Sequence, residues 1–140
     1  MLRSIAAVVV GVIVGGIINW FSGVLFPQNL PLPEGMSLMS IAEDPEALHA
    51  WVASWPRTLF ILILGTYLAM SFFGGYIAAF ISKKNVMGVA IAVGVISLLF
   101  GFNDMVGLPA PLWFWIGMPL YLVAAWFAGK LELKRRAAAS

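Results

Sequence analysis

The sequence lacks cysteine altogether and is poor in charge and in histidine. Among 140 residues it has eight Lys and Arg, six Asp and Glu, and a single histidine, His49. Without cysteine, disulfides, thiolate catalysis and cysteine-ligated metals are excluded. One histidine also falls short of the roughly three or four ligands that zinc binds in proteins. The formal net charge of +2 is too small to indicate a nucleic-acid-binding surface.

The signatures of common catalytic sites are also missing. The chain contains no P-loop, no dinucleotide-binding glycine fingerprint and no nucleophile with a paired base. None of its long apolar stretches contains Asp, Glu, Lys, Arg or His, the usual mark of a transport or catalytic site at membrane depth. We therefore predict no enzyme activity and no catalytic, metal-binding or cofactor-binding residues.

Apolar residues are in large excess, at 62% of the chain against about 45–50% in soluble domains. Four uncharged apolar runs, at residues 5–26, 59–81, 86–102 and 112–129, meet the length of about 17–25 residues that a membrane-spanning helix needs. Lipid offers no hydrogen-bond partner, and the runs do not alternate as barrel strands would. The sequence predicts a single-domain, all-α integral membrane protein over residues 1–136, a bundle of four transmembrane helices.

The basic residues are distributed unevenly between the two predicted membrane faces. Only Arg57 falls on one face, whereas seven fall on the other: Arg3, Lys83, Lys84, Lys130, Lys134, Arg135 and Arg136. The positive-inside rule therefore predicts that both termini are cytoplasmic, in a plasma membrane. The first run is too long for a signal-peptide core and has no cleavage site after it, so we expect it to be retained. Residues 137–140 are compatible with a cloning remnant.

The longest predicted connection is the outer loop, residues 27–58. Asp44 and Pro45 are typical of a helix N-cap and of the first helical position. Apolar residues then recur on one helical face, ending at Pro56: Leu48, Trp51, Val52 and Trp55. We predict a short amphipathic helix that lies on the outer membrane surface or caps the bundle. A lid over a site and a partner-docking helix are the alternatives.

Small residues form a stripe along each span, as expected of helices that pack closely in lipid. The residues predicted to lie in helix contacts are Gly11, Gly15, Gly74, Gly94 and Gly101. We favour packing within the chain over dimerisation. Pro119 predicts a kink in the fourth span. Tryptophans at the span ends are predicted to be interfacial anchors: Trp51, Trp55, Trp113, Trp115 and Trp126.

Few polar side chains are available for a site. Asn19 is the most polar residue clearly inside a span, and we expect an interhelical hydrogen bond from it, with a part in a polar path as the alternative. Four further polar residues fall near the outer face: His49, Arg57, Asn103 and Asp104. They form either a polar pocket with Asn19 at its base or, as we favour, a solvated surface with an exposed Arg57–Asp104 ion pair.

Several short segments form a recognisable pattern: the glycine-rich first helix ending in Asn19, the Pro33–Gly35 turn, the 64–66 and 108–114 segments and the 129–131 ending. In these segments the chain resembles a group of small four-span bacterial inner-membrane proteins with no assigned activity. The resemblance covers nearly the whole chain and implies a bacterial inner-membrane setting. Small multidrug exporters are similar in length but carry a glutamate in the first helix, which is absent here. Small fluoride channels also have four short spans, but their asparagine-rich motifs are missing.

These observations favour a non-enzymatic membrane protein that acts as a structural or accessory component. The alternative is a small transporter or channel built as a homo-oligomer, because four short helices rarely enclose a pore alone. The expected partners are the lipid bilayer and either further copies of the chain or another membrane protein. No nucleic acid and no cofactor are expected.

Overall fold

The computed structural model describes the backbone of residues 1–28 and 30–140 and the side chains of residues 1–22 and 30–140. Within these ranges the chain is helical and contains no strand. The seven helices of the described ranges are α1 (Leu2–Gln28), α2 (Leu38–Glu43), α3 (Pro45–Ala53), α4 (Arg57–Ile81), α5 (Val86–Met105), α6 (Leu112–Gly117) and α7 (Leu120–Ala139).

Four helical stretches are long and apolar enough to cross a membrane. They are Leu2–Ser22, Arg57–Ile81, Val86–Met105 and Leu112–Ala139, and the last joins α6 to α7. The predicted all-helical class and the four candidate spans are therefore confirmed. The helices extend beyond the uncharged runs because polar and charged residues continue the helical turns after the apolar segment has ended.

Helix α4 is the centre of the arrangement, since it packs against α1, α5 and α7. Helix α5 also contacts α1 and α7, which places α1 and α7 on opposite sides of the α4–α5 pair. One end of the molecule, here the termini end, contains Arg3, the 82–85 turn and Arg136. The opposite end, the loop end, contains the 30–56 and 106–111 connections. Every long helix therefore runs between the same two ends.

Helices α1 and α4 approach one another so closely that only glycine fits at the crossing. A Cβ atom added to Gly11 would lie 2.5 Å from the carbonyl oxygen of Gly74, and one added to Gly74 would lie 2.6 Å from that of Gly11. Real Cβ atoms do not come so near to backbone oxygen. Gly15 and Gly94 are similarly close to Met70 of α4 and Ala125 of α7. These small residues thus face neighbouring helices of the same chain.

The fourth span is interrupted next to Pro119. Helix α6 ends at Gly117, and α7 begins at Leu120. Three hydrogen bonds between residues three apart bridge the break, with N···O distances of 3.1–3.2 Å. The amides of Met118, Tyr121 and Leu122 donate to the carbonyls of Trp115, Met118 and Pro119, respectively. Proline has no amide hydrogen and clashes with the preceding turn, so the α-helical pattern stops at the position that the sequence predicts.

The two short helices α2 and α3 lie in the connection at the loop end and contact each other. Asp44 caps α3 by accepting hydrogen bonds from the amides of Glu46 and Ala47 at 3.0 and 3.3 Å, as predicted. Val52 of α3 is fully buried in a cluster with residues of α4 and α6, so α3 caps the bundle rather than standing apart from it. The sequence does not predict helix α2, whose N-cap is Ser37; the Ser37 side chain forms a capping box with Ser40.

The glycine crossing makes a direct prediction about stability. We expect Gly11→Ala to reduce the free energy of unfolding by about 1–3 kcal/mol, because the added methyl group overpacks a contact between two backbones. The matched control is Gly16→Ala on the same helix, where the added Cβ meets nothing within 4 Å. Unfolding in detergent, followed by circular dichroism, measures both. Equal losses in the two variants would contradict a special contact at Gly11.

Candidate functional site

A cavity of about 210 Å³ lies at the loop end, between α1, α4 and the end of α5. Its described lining includes polar residues from all three helices and apolar residues from the helices and the two connections. These residues are Asn19, Ser22, Leu30, Trp55, Leu59, Ile63, Thr66, Tyr67, Asp104, Met105 and Leu108. Most of the lining is apolar, so the polar atoms are isolated against a hydrocarbon surface.

The cavity follows from the way α1 crosses α4. The two backbones touch at Gly11 and Gly74, and Asn19 lies two helical turns beyond that crossing, roughly 12 Å along the axis. Helices that cross at an angle separate with distance from the crossing point. The side chains of Asn19 and Thr66 do not fill the space that opens, and Trp55 and Leu108 from the two connections border it.

Two hydroxyl groups of the cavity, those of Ser22 and Thr66, form hydrogen bonds within their own helices. Ser22 Oγ donates a hydrogen bond to the carbonyl of Ile18 at 3.0 Å, and Thr66 Oγ1 donates to the carbonyl of Leu62 at 2.9 Å. By contrast, the side chain of Asn19 forms no hydrogen bond with any other described residue. The expected interhelical bond from this amide is therefore not seen in that part of the chain.

Asp104 supplies the only formal charge among the described lining residues. Asp104 is an exposed residue, and the ion pairs of the described side chains do not include it. The expected Arg57–Asp104 ion pair is thus not formed. Arg57 instead lines a separate hollow of about 340 Å³, together with Phe60 and Trp113. The cavity consequently has a net negative charge at its polar edge.

The structure brings together only part of the predicted polar site. Asn19 and Asp104 line the same cavity, whereas Arg57, His49 and Asn103 do not. His49 is exposed on α3, and Asn103 also points out of the packed core and is exposed. The sequence analysis does not identify Thr66 and Tyr67, which also line the cavity. Both lie one helical turn after Ile63, and this spacing is the signal that places all three on the same face of α4.

The predicted tryptophan anchors occupy different environments. Trp51 is buried, and its Nε1 donates a hydrogen bond to the carbonyl of Pro31 at 3.1 Å. Trp55 packs edge-on against Trp51, and its own Nε1 is buried without a hydrogen-bond partner in the described structure. Trp113 and Trp115 are half-buried. Trp126 is exposed, and the Lys130 ammonium lies 4.8 Å from its ring centre.

A second polar cluster lies at the termini end of the molecule. The guanidinium of Arg136 donates hydrogen bonds to four carbonyls at the end of α4: Ala79, Phe80, Ser82 and Lys83. Arg3 of α1 donates to the carbonyl of Ile81 at 2.8 Å. Because the last carbonyls of a helix have no intrahelical partner, two arginines from other helices complete the hydrogen bonding of α4.

Glu132 holds Arg136 in this position. Its carboxylate is fully buried and accepts hydrogen bonds from Arg135 Nη2 at 2.6 Å and Arg136 Nε at 2.8 Å. Two guanidinium groups therefore surround this carboxylate, which lies beyond the apolar run that ends at residue 129. This ion-pair cluster has a signal in the sequence, because Arg135 and Arg136 follow Glu132 at the i+3 and i+4 positions of one helix.

In the part of the chain that the structure describes, no group of three His, Cys, Asp or Glu side chains is placed to hold a metal ion. The comparisons with known proteins add no assignment: no protein-family model, curated protein or solved structure matches the chain.

The arginine cluster predicts a loss of stability on mutation. We expect Arg136→Gln to reduce the free energy of unfolding on the order of 2 kcal/mol, because the carbonyls at the end of α4 lose a charged donor and Glu132 loses one of its two partners. Arg136→Lys should restore little, since one ammonium cannot replace a planar guanidinium.

Lys134→Gln is the matched control for this prediction, because it removes the same charge from the same turn of α7. Unfolding by denaturant in detergent compares the three variants. If Lys134→Gln and Arg136→Gln destabilise the protein equally, net charge rather than carbonyl capping is responsible.

Proposed function

We propose that this chain is a multi-pass protein of the bacterial inner membrane that acts as a non-enzymatic structural or accessory component. The observation that carries the proposal is the tightly packed middle of the bundle. Gly11 touches Gly74, Gly94 touches Ala125, and the buried Ser71 hydroxyl donates to the carbonyl of Tyr121 at 2.7 Å. The small and polar residues in the middle of the bundle thus hold its helices together and do not line a path. This arrangement favours a structural or accessory role over that of a channel.

The proposed orientation has both termini in the cytoplasm. Its support is the clustering of basic residues at one end of the molecule. Arg3 bonds to Ile81, and Arg136 bonds to Lys83, so the basic residues near both termini and those of the 82–85 turn share the termini end. Under the positive-inside rule this end remains on the cytoplasmic side.

The alternative function is that of a small transporter or channel formed by several copies of the chain. The cavity with Asn19 and Asp104 favours this alternative, because a polar recess that opens at one end of the bundle provides the entrance to a transport path. Within one chain the recess is followed by the close crossing of α1 and α4 at Gly11 and Gly74. A second copy would therefore have to supply the rest of the path.

The native mass of the protein in lipid nanodiscs distinguishes the two functions. The accessory function predicts a monomer or a defined complex with another membrane protein, together with no ion flux above that of empty proteoliposomes. A homo-oligomer that conducts, and that loses flux but not assembly in Asn19→Leu, would overturn it in favour of transport. Ile17→Leu is the control, since Ile17 is exposed on the same helix.

A further inference from the structure

The cavity at the loop end has the chemistry of a binding site for one kind of ligand. Its edge has a single carboxylate, Asp104, and its described lining contains no basic side chain. An anion would be repelled by Asp104 and would find no positively charged partner there. A neutral polar molecule would lose hydrogen bonds to water against walls that are mostly hydrocarbon.

We propose that this cavity binds a monocationic amphiphile, a protonated amine attached to a small apolar group. The ammonium would lie at Asp104, with the amide oxygen of Asn19 as a second acceptor, and the apolar group would lie against Leu59, Ile63 and Met105. Aromatic rings at Tyr67 and Trp55 add a surface to which cations are attracted.

The size of the cavity limits the ligand. At about 210 Å³ it is smaller than the roughly 300–1,000 Å³ of pockets for drug-sized ligands. It admits a short alkyl or aromatic amine, or the amine-bearing end of a lipid. Both sources share the same ammonium chemistry, and the position of the cavity beside a candidate span gives either one access.

Two observations separate this site from an ordinary surface acid. Asp104 has no cationic partner among the described residues, although Arg57 belongs to the same end of the bundle. The cavity also joins that carboxylate to an amide without a hydrogen-bond partner among the described residues, at Asn19, and to an apolar wall. The proposal does not rest on the proposed function, because an accessory protein and a transporter can each bind an amine.

Titration of the protein with n-octylamine in phosphatidylcholine nanodiscs tests the proposal, with the shift in melting temperature and tryptophan fluorescence as readouts. We expect a saturable response to n-octylamine that n-octanol, of the same chain length but uncharged, does not produce. Asp104→Asn should weaken binding about tenfold, the loss expected for one charge-assisted hydrogen bond. Asn19→Leu should weaken it too, by filling the cavity.

Glu34→Gln is the matched control, since it removes an exposed acid that does not line the cavity and should bind as the wild-type protein does. Equal responses to octylamine and octanol, or unchanged binding in Asp104→Asn, would overturn the proposal. The comparison of the two compounds uses the wild-type protein alone and is valid even if a variant fails to fold. This comparison measures ligand binding and not assembly. A negative result would therefore overturn the amine site without bearing on the native-mass experiment.

A second arm separates the two sources of the amine. Nanodiscs in which part of the phosphatidylcholine is replaced by phosphatidylethanolamine present the ammonium as a lipid headgroup. If this lipid competes with octylamine in the wild-type protein and not in Asp104→Asn, the cavity binds the lipid amine. If octylamine binds equally in both nanodiscs, the site takes a free amine.

Discussion

Two peptide backbones meet directly where Gly11 of α1 lies against Gly74 of α4, and much of the structure depends on that contact. In lipid, apolar side chains gain nothing by leaving their surroundings for one another, so helices associate through close packing and hydrogen bonds. Glycine permits the shortest separation, and it brings α1 against the helix that also contacts α5 and α7. The cavity lies about two helical turns beyond this crossing, at the loop end.

The polar interactions are placed where the packing of small residues ends. Backbone carbonyls at the end of a helix must find donors, and the requirement is strict near hydrocarbon. Arg136 and Arg3 supply them at the end of α4, while buried Glu132 neutralises and orients Arg136. One acid and two arginines thereby tie α1, α4 and α7 together without a charge inside any apolar run. The bundle is tightly packed at its middle, and hydrogen bonds tie three of its helices together at the termini end.

Features fixed by local sequence could be predicted, and those fixed by the choice of neighbouring helix could not. The four apolar runs, the Asp44 cap and the break at Pro119 depend on residues next to each other in the chain. The bonds from Arg136 to α4 join residues more than fifty positions apart, and no helical periodicity indicates them. The same reason explains why Asn19 and Asp104 share a cavity while Arg57, only a few residues before Leu59, lies outside it.

Asp104 is exposed and has no cationic partner among the described residues. A carboxylate buried without a partner would cost several kcal/mol, whereas an exposed one at the edge of a cavity costs little until a ligand displaces its water. Binding of an amine then exchanges water for an ion pair at Asp104 and removes apolar surface from water along Leu59 and Ile63. An uncharged amphiphile gains only the burial of apolar surface, and a small hydrophilic cation gains only the ion pair. Selectivity for molecules with both properties follows from placing one acid beside a hydrocarbon wall.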